Sequence, residues 1–142
     1  MAAGDLDLLA DRILSFARTA IIEDGFVIPV GACVDHRGEV VPLKRIQEHE
    51  GNEDAAALVE EILRAFRTLV QSNNARSVAW CADMRVVPPG TTAKTDAIVV
   101  FFESDDGSAS VLVSPYRDAP GPTTVFATPY SQPRQPAIFA SR

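Results

Sequence analysis

The sequence is poor in the residues that most often carry chemistry. Its 142 residues include two cysteines, two histidines and one tryptophan. The cysteines, Cys33 and Cys81, form no Cys-x-x-Cys pair, so neither a zinc ribbon nor a thioredoxin-like motif is indicated. His36 and His49 belong to separate loops, whereas a metal site needs three or four converging ligands. We therefore expect neither a metal nor another cofactor.

Each cysteine lies inside an apolar run that is typical of a strand. Free cysteine is among the most buried residue types, so this placement favours two reduced thiols in the core. A disulfide between Cys33 and Cys81 on neighbouring strands is the alternative.

Basic residues and long apolar runs are scarce as well. There are 13 Lys and Arg against 19 Asp and Glu, and the resulting net charge of −6 repels a phosphate backbone. No segment approaches the roughly 18–20 apolar residues that cross a bilayer. Asp5, Asp7 and Asp11 interrupt the N-terminal apolar residues, unlike a secretory signal. These absences predict a cytoplasmic protein that contacts neither nucleic acid nor membrane.

The most distinctive segment present is residues 97–102, six apolar residues in a row between two acids. Side chains of a strand alternate between the two faces of a sheet, so Ile98, Val100 and Phe102 share one face. The other three share the opposite face. Because both faces need cover, the pattern predicts a strand in the middle of a sheet.

Hydrophobic spacing predicts two amphipathic helices. The first covers residues 5–24, with Asp5 as a capping residue and Gly25 as the residue that ends it. The second covers about residues 53–71, with Asn52 at its cap position.

The remaining periodic segments predict strands joined by hairpin-like turns, which favours an antiparallel sheet. The predicted fold is a single α+β domain over residues 1–142, with five or six strands and two helices. Its element order is α-β-β-α-β-β-β, followed by a proline-rich extended segment. The predicted strands cover residues 26–34, 39–43, 77–87, 96–103 and 109–114, with an edge strand at 123–127.

The proline-rich segment covers residues 115–142 and holds six of the ten prolines. It also carries large apolar side chains, each costing about 1.5–3 kcal/mol if left in water. We therefore expect this segment to pack on or along the sheet. Its spaced apolar anchors are Val125, Phe126, Tyr130, Ile138 and Phe139.

The element order over about residues 5–114 resembles that of roadblock and longin-type domains. Those are adaptor folds with a five-stranded antiparallel sheet between helices. The resemblance implies a protein that dimerises or binds partners without catalysis. No residue motif of those families occurs in this sequence, and the final helix typical of roadblock domains is replaced by the proline-rich segment. The resemblance therefore assigns no site residue.

We favour a non-enzymatic interaction module that self-associates or binds a protein partner. No Cys or Ser is placed with a His and an acid in a pattern typical of nucleophilic catalysis. Two helices offer limited cover for a strand that is apolar on both faces. The alternative is a small-ligand-binding or catalytic pocket between the sheet and the loops at 44–52 and 88–94. The predicted interaction surface consists of Ile98, Val100, Phe102, Phe126 and Tyr130.

Overall fold

The computed structural model describes residues 2–43 and 55–139. It confirms the predicted α+β fold, with two helices and an antiparallel sheet. The helices are α1 (Ala2–Asp24) and α2 (Ala55–Gln71). The strands are β1 (Val30–Val34), β2 (Val40–Pro42), β3 (Ser77–Val86), β4 (Thr95–Ser104), β5 (Ala109–Arg117), β6 (Val125–Phe126) and β7 (Tyr130–Pro133).

The sheet has the strand order β2-β1-β3-β4-β5-β6, and β7 pairs with the other end of β5. The longest ladder joins β3 to β4 and runs from Ser77 opposite Ser104 to Val86 opposite Thr95. Since β5 flanks β4 on its second edge, the doubly apolar segment lies in the middle of the sheet, as predicted.

Helix α1 covers one face of β4. Ile98, Val100 and Phe102 are at most 2% exposed in the cluster that α1 forms with the sheet. A helix of 23 residues is about 34 Å long, which matches the roughly 33 Å of a ten-residue strand. The predicted assignment of these three residues to an interaction surface is therefore corrected: they belong to the core. The buried face of α1 includes Leu9, Ile13, Ala17 and Ile21.

Helix α2 lies on the opposite face, near β1 and β3. Its buried residues are Leu58, Ile62, Phe66 and Val70. They form a second cluster with Val78 and Trp80, which Ile138 and Phe139 join from the end of the chain. The close approach of α2 to β1 depends on Gly31, where a Cβ atom would lie 2.7 Å from the Phe66 ring.

The N-terminal end of α1 differs from the prediction. The helix begins at Ala2, so Asp5 lies inside its first turn instead of capping it. Asp5 is buried and accepts hydrogen bonds from Arg76 at 2.7 and 2.9 Å and from Ser77 at 2.6 Å. Burial alone would raise the pKa of Asp5, but these hydrogen bonds and the Arg76 charge lower it.

Two further predictions concern the C-terminal end of α1 and the N-terminal cap of α2. Gly25 ends α1 as predicted, with φ at +84° and its N–H donating to the Ile21 carbonyl at 2.9 Å. The predicted cap of α2, Asn52, lies outside the described residues.

Several strands also differ from prediction, and β5 extends to Arg117 instead of ending at residue 114. β1 begins at Val30 and not at residue 26, because Pro29 has no N–H to donate to a ladder. The predicted edge strand is only the two-residue β6, while β7 was not predicted.

Cys33 and Cys81 are buried free thiols. Cys33 packs in the cluster beneath α2, whereas Cys81 packs beneath α1 on the opposite face. This arrangement confirms the prediction of two thiols and excludes a disulfide between them. Neither α1 nor α2 combines the length and hydrophobicity that crossing a membrane requires, within the residues described.

Candidate functional site

A cleft opens at one end of the sheet, where the loop after β3 meets the end of β5 and the proline-rich segment. Its volume is about 610 Å³, within the usual range of 300–1,000 Å³ for ligand sites. We call it the edge cleft. It is lined by Pro88, Pro89, Thr91, Ala93, Lys94, Thr95, Pro115, Tyr116, Arg117, Val125, Ala127, Thr128 and Tyr130.

One wall of the edge cleft is a stiff turn. Pro88 and Pro89 restrict the backbone, and Gly90 adopts a φ of +78°. Thr91 then closes the turn, since both its N–H (3.1 Å) and its hydroxyl (2.8 Å) donate to the Pro88 carbonyl. The turn sequence therefore positions this wall through local hydrogen bonds alone.

The facing wall comes from the proline-rich segment, which β5 holds in place. β6 pairs with the end of β5, where Tyr116 lies opposite Phe126. The Ala127 N–H donates to the Pro115 carbonyl at 2.9 Å, and β7 brings Tyr130 opposite Val113. The wall is therefore fixed by backbone pairing over a short stretch.

Tyr116 is a buried residue of the cleft lining and packs in the cluster beneath α1. Its hydroxyl donates to the Asp83 carboxylate at 2.7 Å, and its ring packs 6.3 Å from the Phe126 ring. Burial and the Asp83 carboxylate raise the pKa of Tyr116, so the phenol stays protonated at neutral pH. Burial also raises the pKa of Asp83, although the hydrogen bond from Tyr116 opposes this.

Helix α1 supports the same corner of the sheet. The Arg18 guanidinium lies 5.3 Å from the centre of the Phe126 ring and donates to the Ser114 hydroxyl at 3.2 Å. A cation over an aromatic face contributes about 0.5–2 kcal/mol. Phe126 is therefore held between α1 and Tyr116, as part of the support for the cleft wall.

The surface of the edge cleft is mostly apolar with a positive component. Three prolines, two tyrosines and a valine supply most of its large side chains. Among the described residues that line the cleft, Lys94 and Arg117 carry charge and none carries a carboxylate. The part of the lining that the structure describes also contains no histidine or cysteine.

The far end of the proline-rich segment is anchored by Glu103, a fully buried carboxylate on β4. Its Oε1 atom accepts hydrogen bonds from three successive backbone N–H groups, those of Ala137 at 2.9 Å, Ile138 at 2.8 Å and Phe139 at 3.2 Å. We call this arrangement the Glu103 clasp. Carboxylates that accept several backbone N–H groups form strong, charge-assisted bonds.

Arg134 completes the Glu103 clasp. Its guanidinium lies 5.2 Å from the ring centres of both Trp80 and Phe101, which stack on each other at 5.0 Å. Its Nη1 atom is 3.8 Å from the Oε2 atom of Glu103. The proline-rich segment, which supplies one wall of the edge cleft, is thus held at two places: at β6 by pairing with β5, and at residues 137–139 by the Glu103 clasp.

The predicted site residues are only partly brought together. Tyr130 lines the edge cleft, and half-buried Phe126 supports it from outside the lining. The predicted loop at 88–94 supplies one wall, whereas the loop at 44–52 lies outside the described residues.

Sequence reasoning missed Tyr116, Arg117 and Glu103. Tyr116 and Arg117 lie just beyond the predicted end of their strand, and Pro115 had suggested that the strand stopped there. Glu103 had a usable signal. It directly follows the apolar run, and the two-residue period of a strand places it on the same face as Phe101.

A second cleft, of about 640 Å³, lies beside β2 and brings Cys33 and His36 to one surface. Burial and the nearby Asp35 charge raise the pKa of Cys33, so its thiol is not activated as a nucleophile. Within residues 2–43 and 55–139, no three His, Cys, Asp or Glu side chains converge in a way that could hold a metal ion.

Comparison with protein-family models, with curated proteins and with solved structures finds no match to this chain. The resemblance to roadblock and longin-type domains is thus one of element order alone. The function has to be inferred from the edge cleft and its surroundings.

Proposed function

We propose that this chain is a non-enzymatic protein-interaction module and that its binding site is the edge cleft. The observation that carries the proposal is the combination of a cleft volume of about 610 Å³ with walls of proline, tyrosine and valine. Such walls suit an apolar segment of a partner protein, because aromatic and proline surfaces bury area with little loss of side-chain entropy.

The partner is proposed to be another protein and not a second copy of the chain. The argument for self-association, one of two kinds of partner that the sequence allows, is that β4 is apolar on both faces. Helix α1 covers one of those faces. On the other, Phe101 packs against the α2 cluster, and Ala97 and Val99 are buried among residues of neighbouring strands. The central strand therefore supplies no argument for a second copy.

Photo-crosslinking in cells that express the chain naturally tests this proposal. A photoreactive phenylalanine replaces Val125, which lines the edge cleft and is 42% exposed. The matched control places the same residue at Ile22 on α1, which is 40% exposed and lies outside the cleft. We expect a discrete adduct with a different protein from position 125 and none from position 22.

Two other results would contradict the proposal. Adducts of equal yield from both positions would mean that contact at the cleft is non-specific. An adduct at twice the mass of the chain would mean that the cleft is an interface between two copies.

The cleft volume also favours a second candidate function, the binding of a small ligand. A thermal-shift screen against a metabolite panel separates the two functions. A ligand at a hundred times its Kd stabilises the folded chain by about 2.7 kcal/mol, which corresponds to roughly 10 °C in Tm at this size. Such a shift, abolished by Tyr130→Ala, would favour the small ligand.

A further inference from the structure

We infer that the segment bound by the edge cleft is acidic, with Asp or Glu next to an aromatic or aliphatic side chain. This inference rests on the proposed function, since it names the chemistry of the partner at the same site. It starts from the distribution of charge and not from the shape of the cleft.

The chain carries 19 acidic and 13 basic residues, yet the two charged side chains among the described lining residues of the edge cleft are both basic. Lys94 and Arg117 come from different walls, the turn after β3 and the end of β5. A site that is positive on a chain of net charge −6 is complementary to an anionic group, and the rest of the surface repels one.

Both cations remain available to a ligand. Lys94 forms no ion pair within the part of the chain that the structure describes. Arg117 lies 3.9 Å from Asp118, but their side chains are 74% and 61% exposed, and ion pairs between exposed groups are weak. The carboxylate of Asp96 lies 3.8 Å from Arg85 in a similarly exposed pair, and Asp96 is not among the described residues that line the cleft.

The walls specify the rest of the ligand. Half-buried Tyr130 offers aromatic surface, and Pro88, Pro89 and Val125 offer apolar surface. An isolated carboxylate would gain little from these groups, and a purely apolar segment would leave the two cations unused. An acidic residue with a large apolar neighbour uses both.

Selection from a phage library of random decapeptides tests the inference on the full-length chain. We expect the enriched peptides to carry Asp or Glu beside Phe, Trp, Tyr, Leu or Ile. Binding of a synthetic copy should weaken between 50 and 300 mM NaCl, since exposed charges are screened over that range. Replacing its acids by Asn or Gln should weaken binding by roughly two- to fivefold for each acid, the range for ion pairs between exposed groups.

Charge reversal of the protein locates the effect. The double variant Lys94→Glu/Arg117→Glu should lose roughly tenfold or more in affinity for the selected peptide, since two attractions become repulsions. The control Arg64→Glu/Arg67→Glu changes the net charge equally on exposed positions of α2 and should bind as the parent does. Circular dichroism checks that both variants stay folded.

The outcomes separate this inference from the proposed function. Enriched peptides that are blocked by Tyr130→Ala but lack acids, or that bind the Lys94/Arg117 variant unchanged, would overturn the acidic partner and leave the interaction module intact. Failure to enrich any peptide, or enrichment that Tyr130→Ala does not affect, would overturn both.

Discussion

Replacing Glu103 by alanine should release the end of the proline-rich segment without unfolding the sheet. The carboxylate holds three backbone N–H groups and faces Arg134, while β4 keeps both of its ladders. Once Glu103 is gone, the N–H groups of residues 137–139 lose their acceptor. They regain hydrogen bonds only by leaving the sheet for water.

The size of the effect follows from the bonds that are lost. Hydrogen bonds to a charged group contribute about 1.5–3 kcal/mol net, which corresponds to a roughly ten- to hundredfold larger open population of the segment. Glu103→Gln keeps one acceptor oxygen but no charge, and neutral bonds are about half as strong. The glutamine variant should therefore show a clearly smaller effect than the alanine variant.

Hydrogen exchange followed by mass spectrometry measures this opening directly. We expect the amides of Ile138 and Phe139 to exchange roughly ten to a hundred times faster in Glu103→Ala. Amides in the middle of β3 should change much less, because their ladders persist. Limited trypsin digestion gives a second readout, since cleavage after Arg134 requires that its side chain leave the Trp80 and Phe101 rings.

The matched control is Glu60→Ala, which removes an exposed acid from α2. It should leave exchange at residues 137–139 unchanged. If these amides exchanged at the parental rate in Glu103→Ala, the clasp would not hold the segment, and the account of the second tether would be refuted.

Three further predictions follow from the core. Because the pKa of Asp5 is lowered in the folded state, its stabilising contribution is present above about pH 4 and is lost as the pH falls through that lowered pKa. Urea titrations of Asp5→Asn should show about 1.5–3 kcal/mol lower stability at pH 7 and a weaker dependence of stability on pH in the acid range. Gly31→Ala should cost about 1–3 kcal/mol in the same assay, because the new Cβ would lie 2.7 Å from the Phe66 ring. Burial raises the pKa of Cys81 to about 11 and also raises that of Cys33, so both thiols should react with a disulfide reagent at pH 8 only after unfolding.

The Gly31 prediction has a control within the chain. Gly4→Ala lies in α1 with nothing within 4 Å of the added Cβ, so it should be neutral or stabilising by up to about 1 kcal/mol. An unchanged acid dependence in Asp5→Asn would show that Arg76 does not hold that carboxylate. Rapid thiol labelling of the folded chain would contradict the burial of both cysteines.

The parts of the fold that sequence predicted are those set by side-chain period. The four-residue spacing from Leu9 to Ile21 marked α1, and the unbroken run at 97–102 marked the central strand. Both patterns arise from local backbone geometry and the burial of apolar side chains. They therefore predict the element whatever the arrangement of the rest of the chain.

The parts that sequence could not predict depend on contacts across the fold. Asp5 meets Arg76 and Ser77 more than seventy positions away, and Glu103 meets residues 137–139 more than thirty positions away. The edge cleft combines three separate segments, of which only the 88–94 loop and Tyr130 had been singled out. Predicting the cover of β4 likewise required knowing that α1 lies on one side of it and that Val113 and Tyr130 pack beside Val99 on the other.

The ends of the sheet restrict how any other chain can approach it. At one margin, β2 has three residues and finishes at Pro42. At the other margin, β7 follows Pro129 and ends at Pro133. Only three of its four residues therefore carry a backbone N–H. Another polypeptide therefore finds few backbone N–H groups with which to extend the sheet. Concentrated solutions of this protein should resist the formation of fibrils. Recognition is left to side chains, which can tell one sequence from another.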